Sequence, residues 1–238
     1  MKLAVLVVAL GLPGCAWMYP TAVPIHDAWY PRAATGPAST LLVLLPGRGD
    51  DLQAFAAHGF VDDVRASGAP VDIVAVDAHL GYYLKSTIVD RLWTDVVAPA
   101  RRRGYAHVWI AGISMGGLGA LALAREHGDA LERVIVLAPF LGPKDLLEQI
   151  AAAGGPARWT PTDPSDRYQR LWAWLGGPSP KPTLQLAFGT DDRLAPGHRL
   201  LAQLLPPDAV LEEAGGHEWV TWRKLWRRLW PATPSTKP

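Results

Sequence analysis

Six short stretches of the chain are almost continuously hydrophobic, and polar segments separate them. They lie at residues 41–46, 71–77, 107–113, 133–139, 183–189 and 209–213. A strand with one face in water alternates between apolar and polar residues, whereas a strand covered on both faces is apolar throughout. The pattern therefore predicts six strands that are buried on both faces.

The segments between these runs have the composition and length of helices. Helices are predicted at 52–67, 86–103, 115–127, 196–205 and 217–230. Alternation of strands and helices is typical of a mostly parallel sheet with helices on both faces, which places the protein in the α/β class. We expect one domain over residues 41–230 and a disordered tail at 231–238.

One connection is unusually long for a compact domain. No strand is predicted between Pro139 and Pro182, and this segment contains Trp159 and two further tryptophans. Long connections in compact domains are often functional, so residues 139–182 are a candidate lid over a binding site. An equally supported alternative is a pair of packing helices closed by a proline-rich turn.

Composition narrows the class of partner. The chain has 238 residues, of which 49% are hydrophobic, and its formal net charge of +1 gives no electrostatic reason to expect nucleic acid. The sequence has no H-E-x-x-H motif and no cysteine cluster, so no metal is predicted. No cofactor is predicted either, and the oligomeric state is not indicated.

The first 15 residues differ from the rest of the chain. One lysine precedes an apolar run from Leu3 to Leu12, which is too short to span a bilayer as a helix and suits a signal peptide over residues 1–14. Cys15 is the sole cysteine, so it cannot form an intramolecular disulfide. The stretch LPGC resembles the lipobox of bacterial lipoproteins, apart from Pro13, which implies lipid attachment at Cys15.

Lipidation would attach the protein to a membrane of the bacterial cell envelope. Ala16 is similar to the residues that accompany sorting to the outer membrane, which implies an outer-membrane anchor facing the periplasm. Residues 15–40 would then serve as a proline-containing linker. An ordinary cleaved signal peptide would instead give a soluble periplasmic or secreted protein, and an uncleaved segment would leave Cys15 incidental.

The stretch GISMG, from Gly112 to Gly116, follows the third apolar run and opens a helix. A serine on a sharp strand-to-helix turn exposes its hydroxyl above the sheet, and the flanking glycines avoid collisions in that turn. Dinucleotide binding would require the spacing G-x-G-x-x-G, which GISMGGLG lacks. Ser114 is therefore a candidate nucleophile, with close packing of strand on helix as the alternative role of the glycines.

A serine nucleophile needs a base, and the base needs a carboxylate to orient it. Among seven histidines, His217 follows the last predicted strand in a glycine-containing loop before the final helix. Asp191 and Asp192 follow the fifth apolar run. The order serine, aspartate, histidine along the chain is that of α/β-hydrolases, so these residues form a candidate catalytic triad.

Backbone amides are available to hold an oxyanion. The first predicted strand ends in the glycine turn PGRGDD, and the N–H of Met115 lies at the start of the helix after Ser114. N–H groups in such positions stabilise the negative charge that develops in acyl transfer. The alternative for PGRGDD is an ordinary turn.

Together these residues resemble the α/β-hydrolase superfamily over roughly residues 40–230. PGRGDD resembles the HGxGDD turn of carboxylesterases, with Pro46 in place of histidine, which implies that the Arg48 N–H donates to the oxyanion. GTDDRLAP resembles the family pattern G-x-x-D-x-x-x-P, which implies that Asp192 is the acid. GGHEWVTW resembles a motif of an esterase group that includes feruloyl and siderophore esterases.

The resemblance implies a serine hydrolase that cleaves a small carboxylic ester through an acyl-enzyme. Acyltransferases and thioesterases use the same triad, and a non-catalytic binding protein anchored to the envelope is the alternative from another class. Tyr82 and Tyr83 follow a strand end in AHLGYYLK and are candidate pocket residues, as is Trp159.

The final predicted helix carries tryptophans on one face. Trp219, Trp222, Trp226 and Trp230 are separated by 3, 4 and 4 residues, with arginines and a lysine between them. Packing of the tryptophans onto the sheet is the favoured interpretation. The alternative is a basic amphipathic helix that contacts anionic lipid.

Overall fold

The computed structural model describes residues 19–32, 38–179 and 181–231. Its strands are β1 (Asp27–Tyr30), β2 (Thr40–Leu45), β3 (Val71–Val76), β4 (His107–Ile113), β5 (Arg133–Leu137), β6 (Thr183–Gly189) and β7 (Val210–Glu213). The α-helices are α1 (Ala54–Ala57), α2 (Phe60–Ala66), α3 (Leu80–Leu84), α4 (Ile88–Arg91), α5 (Ala98–Arg102), α6 (Met115–His127), α7 (Lys144–Ala152), α8 (Arg167–Gly176), α9 (Ala195–Ala202) and α10 (Trp219–Leu229). A π-helical segment, Leu92–Val97, joins α4 to α5.

The seven described strands form one sheet in the order β1-β3-β2-β4-β5-β6-β7. All neighbouring strands are parallel except β1, which pairs antiparallel with β3 at the edge. The six predicted strands and the flanking helices are confirmed. The sheet and its helices therefore have the α/β-hydrolase architecture that the sequence predicts.

Side chains of the central strands alternate between two hydrophobic cores. In β2, Leu41 and Val43 face one core, whereas Leu42 and Leu44 face the other. Helices α1, α2 and α10 cover the second core, and α3 to α9 cover the first. All six residues of β2 are buried, which explains why this strand is apolar throughout.

The prediction of a linker over residues 15–40 is wrong for its described part. Residues 27–30 form strand β1, and the Tyr82 hydroxyl both accepts from the N–H of Ala22 and donates to its carbonyl, at 3.0 and 3.1 Å. The Ile25 N–H donates to Asp95. A four-residue edge strand is too short to give a clear pattern in sequence, so the segment looked like a spacer.

The connection at 139–182 contains two helices rather than an irregular loop. Its core-facing side chains, such as Leu146 and Ile150 of α7 and Leu171 and Trp172 of α8, are buried in the first core. The indole N–H of Trp172 donates to the Leu141 carbonyl. Packing helices thus account for the length of this connection, and whether the segment moves as a lid stays a prediction.

The tryptophans of α10 pack onto the sheet. Trp222, Trp226 and Trp230 are buried in the second core, and Trp226 donates its indole N–H to the Phe60 carbonyl. On the outer side, Arg223 forms an ion pair with Asp63 at 2.9 Å. The aromatic face is therefore unavailable to lipid, and the interpretation as a membrane-binding helix is wrong.

Several predictions concern residues outside the described part of the chain. These are the signal peptide at 1–14, the lipidation of Cys15 and the tail beyond residue 231. In the described ranges no helix is both long and apolar enough to cross a membrane.

Candidate active site

Ser114 occupies a strained turn between β4 and α6. Its backbone has φ 52° and ψ −113°, a conformation that residues other than glycine rarely adopt. The Ser114 N–H donates to the Leu137 carbonyl at 2.9 Å, and its own carbonyl accepts from the Phe140 N–H at 2.8 Å. These bonds to the end of β5 hold the serine at the carboxyl edge of the sheet.

The glycines of GISMG allow this turn to form. A methyl group on Gly112 would collide with the Gly116 carbonyl, and one on Gly116 would collide with the carbonyls of Leu45 and Pro46. Both collisions involve backbone atoms, which cannot move aside as a flexible side chain can. The glycines thus have both of the roles that the sequence allows. They let the strand pack closely on the helix, and this close packing is what exposes Ser114.

His217 lies between Ser114 and Asp192. Its Nε2 is 3.0 Å from the Ser114 Oγ, and its Nδ1 is 2.7 Å from the Asp192 Oδ2. The ring is held from the side by Trp222, whose ring meets it edge to face at a centroid distance of 4.8 Å. The structure therefore brings together the three residues that the sequence selected from three separate loops.

Asp192 rather than Asp191 faces the histidine. Asp192 is 4% exposed and its Oδ1 accepts from the Leu194 N–H at 2.7 Å, whereas Asp191 is exposed. Burial alone raises the pKa of Asp192, but hydrogen bonds from His217 and Leu194 outweigh it and hold the pKa below its ordinary value. The carboxylate therefore stays ionised at neutral pH and can orient the imidazole.

Met115 and Arg48, whose N–H groups are predicted to hold the oxyanion, both lie beside Ser114. Met115 is the first residue of α6, so its N–H has no acceptor within the helix. Arg48 lies in the turn after β2 and lines the same cavity as Ser114 and Met115. A methyl group on Gly47 would lie 3.7 Å from the Ser114 Cβ, so this turn runs directly past the serine.

A cavity of about 320 Å³ opens beside Ser114. Its walls combine aliphatic and aromatic side chains with arginines. The lining residues besides Ser114, Met115 and Arg48 are Leu80, Tyr83, Leu84, Leu118, Phe140, Arg167, Tyr168, Arg193 and Leu194. An apolar cleft with a few polar groups at its centre is the usual form of a small-molecule site.

Of the predicted pocket residues, Tyr83 lines this cavity but Tyr82 and Trp159 do not. The two tyrosines are adjacent in α3 and both are buried, but the Tyr82 hydroxyl bonds the backbone of Ala22 whereas Tyr83 reaches the cavity. Trp159 packs half-buried against the first core. Sequence alone could not separate the tyrosines because α3 was not predicted.

The sequence analysis missed the contribution of α8, which supplies Arg167 and Tyr168 to the cavity. A local signal for this helix exists: Asp166 caps it by accepting from the N–H groups of Tyr168 and Gln169 at 2.9 and 2.8 Å. Phe140, Arg193 and Leu194 carry no comparable signal, because loops bring them to the cavity.

His198 is a second buried histidine near the site, and its burial was not anticipated. It is fully buried in α9, and its Nε2 lies 3.0 Å from the carbonyl oxygen of Pro139. Pro139 directly precedes Phe140, whose N–H donates to the Ser114 carbonyl. Burial lowers its pKa to about 4, although Asp192 and the Pro139 carbonyl act in the opposite direction. His198 is therefore neutral in the folded protein at physiological pH.

We expect this burial to make stability depend on pH. Because the folded-state pKa of His198 lies below its unfolded value, the unfolded chain binds the extra proton, and stability falls as pH drops from about 6.5 to about 4. The expected loss is roughly 2–4 kcal/mol across that window. Urea unfolding at pH 7.5 and 4.5 measures it, with His198→Gln expected to flatten the dependence. His26→Gln, at an exposed histidine, is the matched control, and an equal slope in both variants would contradict the assignment.

No group of three metal-ligating side chains occurs among the residues that the structure describes. The fold and the geometry at Ser114, His217 and Asp192 define the class of the protein, which is a serine hydrolase of α/β-hydrolase fold. A family model described as "Putative esterase" matches residues 77–228, well over half of the chain. The protein belongs to this esterase family.

Solved structures similar to this chain share its fold at low sequence identity. The hyperthermophilic esterase from the archaeon Pyrobaculum calidifontis aligns with a TM-score of 0.61 at 16% identity, covering 86% of this chain and 79% of its own. A ferulic acid esterase aligns at 0.56 and 19% identity, covering 80% and 83%. The S-formylglutathione hydrolase of Staphylococcus aureus aligns at 0.55 and 16% identity, covering 83% and 81%. Comparison with curated protein sequences gave no match.

Proposed function

We propose that the protein hydrolyses carboxylic esters through an acyl-enzyme formed on Ser114. The observation that supports this most is the hydrogen-bonded chain Ser114–His217–Asp192, with distances of 3.0 and 2.7 Å. His217 Nε2 takes the hydroxyl proton as Oγ attacks the acyl carbon. The resulting oxyanion accepts hydrogen bonds from the N–H groups of Met115 and Arg48.

Collapse of this tetrahedral intermediate breaks the ester bond. His217 returns the proton to the leaving alcohol, which departs and leaves the acyl group on Ser114. A water molecule then repeats the sequence with His217 as base and releases the acid. Asp192 holds the proton of His217 on Nδ1 throughout, so that Nε2 faces the serine as an acceptor.

A fluorophosphonate probe tests the role of Ser114. We expect labelling at Ser114 alone, identified by mass spectrometry of the modified peptide, because among the described residues only this serine hydroxyl is paired with an imidazole that is itself oriented by a carboxylate. Ser114→Ala is the blank. Equal labelling of the Ser114→Ala protein would contradict the proposal.

Hydrolysis, acyl transfer and thioester cleavage share the same acyl-enzyme, so the products separate them. The chain's own geometry supports attack on an acyl carbon and does not select the acceptor. Product analysis with and without added alcohol measures the fraction of acyl groups transferred. The alternative of a non-catalytic binding protein does not fit a member of an esterase family with this arrangement of side chains.

We also propose that Cys15 carries lipid and tethers the enzyme to a bacterial envelope membrane, with the outer membrane as the expected location. Tyr19 follows Cys15 by four residues, and its carbonyl lies beside Gly81 of α3. Four residues span at most about 14 Å when extended. A lipid on Cys15 would therefore hold the α3 side of the domain, and with it the mouth of the cavity, close to the membrane surface.

Mass spectrometry of the N-terminal peptide from membrane fractions tests this anchor. The expected mature terminus is an acylated Cys15, and Cys15→Ser is expected to release the protein from the membrane. More than one acyl chain is needed for a stable anchor, at roughly 0.8 kcal/mol per buried methylene. A mature terminus beyond residue 15 would exclude the anchor.

A further inference from the structure

Three arginines line the cavity beside Ser114. Arg48 comes from the turn after β2, Arg167 from the start of α8 and Arg193 from the loop after β6, so three separate elements supply them. All three are exposed, and the described residues that line the cavity include no aspartate or glutamate. The cavity therefore combines apolar walls with a cationic rim.

None of these arginines has an ion-pair partner among the described carboxylates. Arg167 is held by neutral acceptors, since its guanidinium donates to the Tyr83 carbonyl at 3.0 Å and to the Ser86 hydroxyl at 3.4 Å. On helix α10, by contrast, Arg223 and Arg227 both pair with Asp63. The cavity thus collects three arginines that have no described ion pair, in a chain whose net charge is only +1.

Guanidinium groups bind carboxylates and phosphates with a geometry that matches two oxygens at once. Positive charge at the mouth of an apolar cleft also raises the local concentration of anionic ligands. A neutral ester would use neither property. The apolar walls formed by side chains such as Leu118 and Phe140 suit the hydrocarbon part of the same molecule.

We propose that the substrate is an anionic ester, whose apolar part occupies the cavity and whose carboxylate or phosphate binds at Arg167 and Arg193. This inference rests on the proposed esterase function and specifies its substrate class. Arg48 adds to the positive field while its backbone N–H faces the oxyanion. The anion has two sources that share this chemistry, namely a soluble ester and a lipid phosphate.

Matched ester pairs measure the preference. The first pair is 4-nitrophenyl adipate, with a free carboxylate, and its methyl ester, and the second is 4-(butanoyloxy)benzoate and its methyl ester. They place the charge on the acyl side and on the alcohol side respectively. A third pair, a monoacylglycerol phosphate and the corresponding monoacylglycerol in neutral phosphatidylcholine vesicles, tests the lipid source.

For at least one pair we expect the ratio of kcat/KM, anionic over neutral, to exceed one and to fall about tenfold in Arg193→Gln and in Arg167→Gln at low salt. The ratio should also fall in 0.5 M salt, because exposed charges are screened at about 4 Å under those conditions. Arg102→Gln is the control, since Arg102 is exposed at the end of α5, before β4 and away from the strand ends that carry the site. It is expected to leave every ratio unchanged.

Dependence on the arginines in the soluble pairs assigns the cavity to soluble anionic esters, and dependence in the vesicle pair assigns it to lipid phosphates. Neutral esters turned over as fast as anionic ones, or ratios that neither Arg193→Gln nor Arg167→Gln changes, would overturn the anionic substrate while the esterase function stands. If none of the esters is hydrolysed and the fluorophosphonate does not label Ser114, the esterase function itself is overturned.

Discussion

Ser114→Ala is expected to reduce kcat/KM for ester hydrolysis by about 10⁴- to 10⁶-fold, as removal of a serine nucleophile does in enzymes of this kind. The substitution removes the atom that attacks the acyl carbon, while the helix and strand around it keep their packing. His217→Ala should lower the rate by a similar factor, because the hydroxyl then has no base at 3.0 Å. Initial rates with a chromogenic ester, corrected for spontaneous hydrolysis in buffer without protein, measure both effects.

Separate substitution of the two neighbouring aspartates distinguishes loss of the triad carboxylate from loss of a negative charge near the site. Asp192→Asn should cost about 10⁴-fold, because an amide at this position no longer holds the imidazole in the required tautomer. Asp191→Asn should stay within about twofold of the parent protein, since the Asp191 side chain is exposed. The opposite result, an inactive Asp191→Asn and an active Asp192→Asn, would contradict the assignment of the acid.

The strands that could be predicted from the sequence are those whose burial on both faces makes a short segment of the chain apolar. β4 and β6 begin and end at the predicted residues, because the last four positions of each strand are buried and none of them is polar. Helix 52–67 divides at Gly59, whose φ of 76° interrupts the helical backbone. A glycine inside a helical pattern is a weak signal, and sequence alone does not show whether it bends the chain.

The triad could be predicted for a related reason, since each member sits directly after a strand and parallel strands end at one edge of the sheet. Ser114, Asp192 and His217 follow β4, β6 and β7. The cavity could not be predicted in this way. Arg167 and Tyr168 reach it from a helix whose position depends on the burial of Trp172, and such packing is decided by the whole fold.

Gly116→Ala is expected to lower kcat/KM by at least about 100-fold, because a shift near 1 Å at a catalytic site costs that much. The added methyl group would overlap the carbonyls of Leu45 and Pro46, so the start of α6 must move away from β2. That movement displaces the Ser114 Oγ and the Met115 N–H together. Overpacking of this kind also costs about 1–3 kcal/mol of stability.

Gly128→Ala is the matched control, at the other end of the same helix. Gly128 has φ −62° and ψ −28°, which alanine adopts without strain, and its methyl group would meet only the Pro182 Cδ at 3.4 Å. We expect a stability change within about 1 kcal/mol and unchanged ester hydrolysis. Urea unfolding and initial rates on both variants give the comparison. If Gly116→Ala were as stable and as active as Gly128→Ala, the close approach of α6 to β2 would not be what positions Ser114. The strained Ser114 backbone at φ 52° would then have to be maintained by the hydrogen bonds to Leu137 and Phe140 alone.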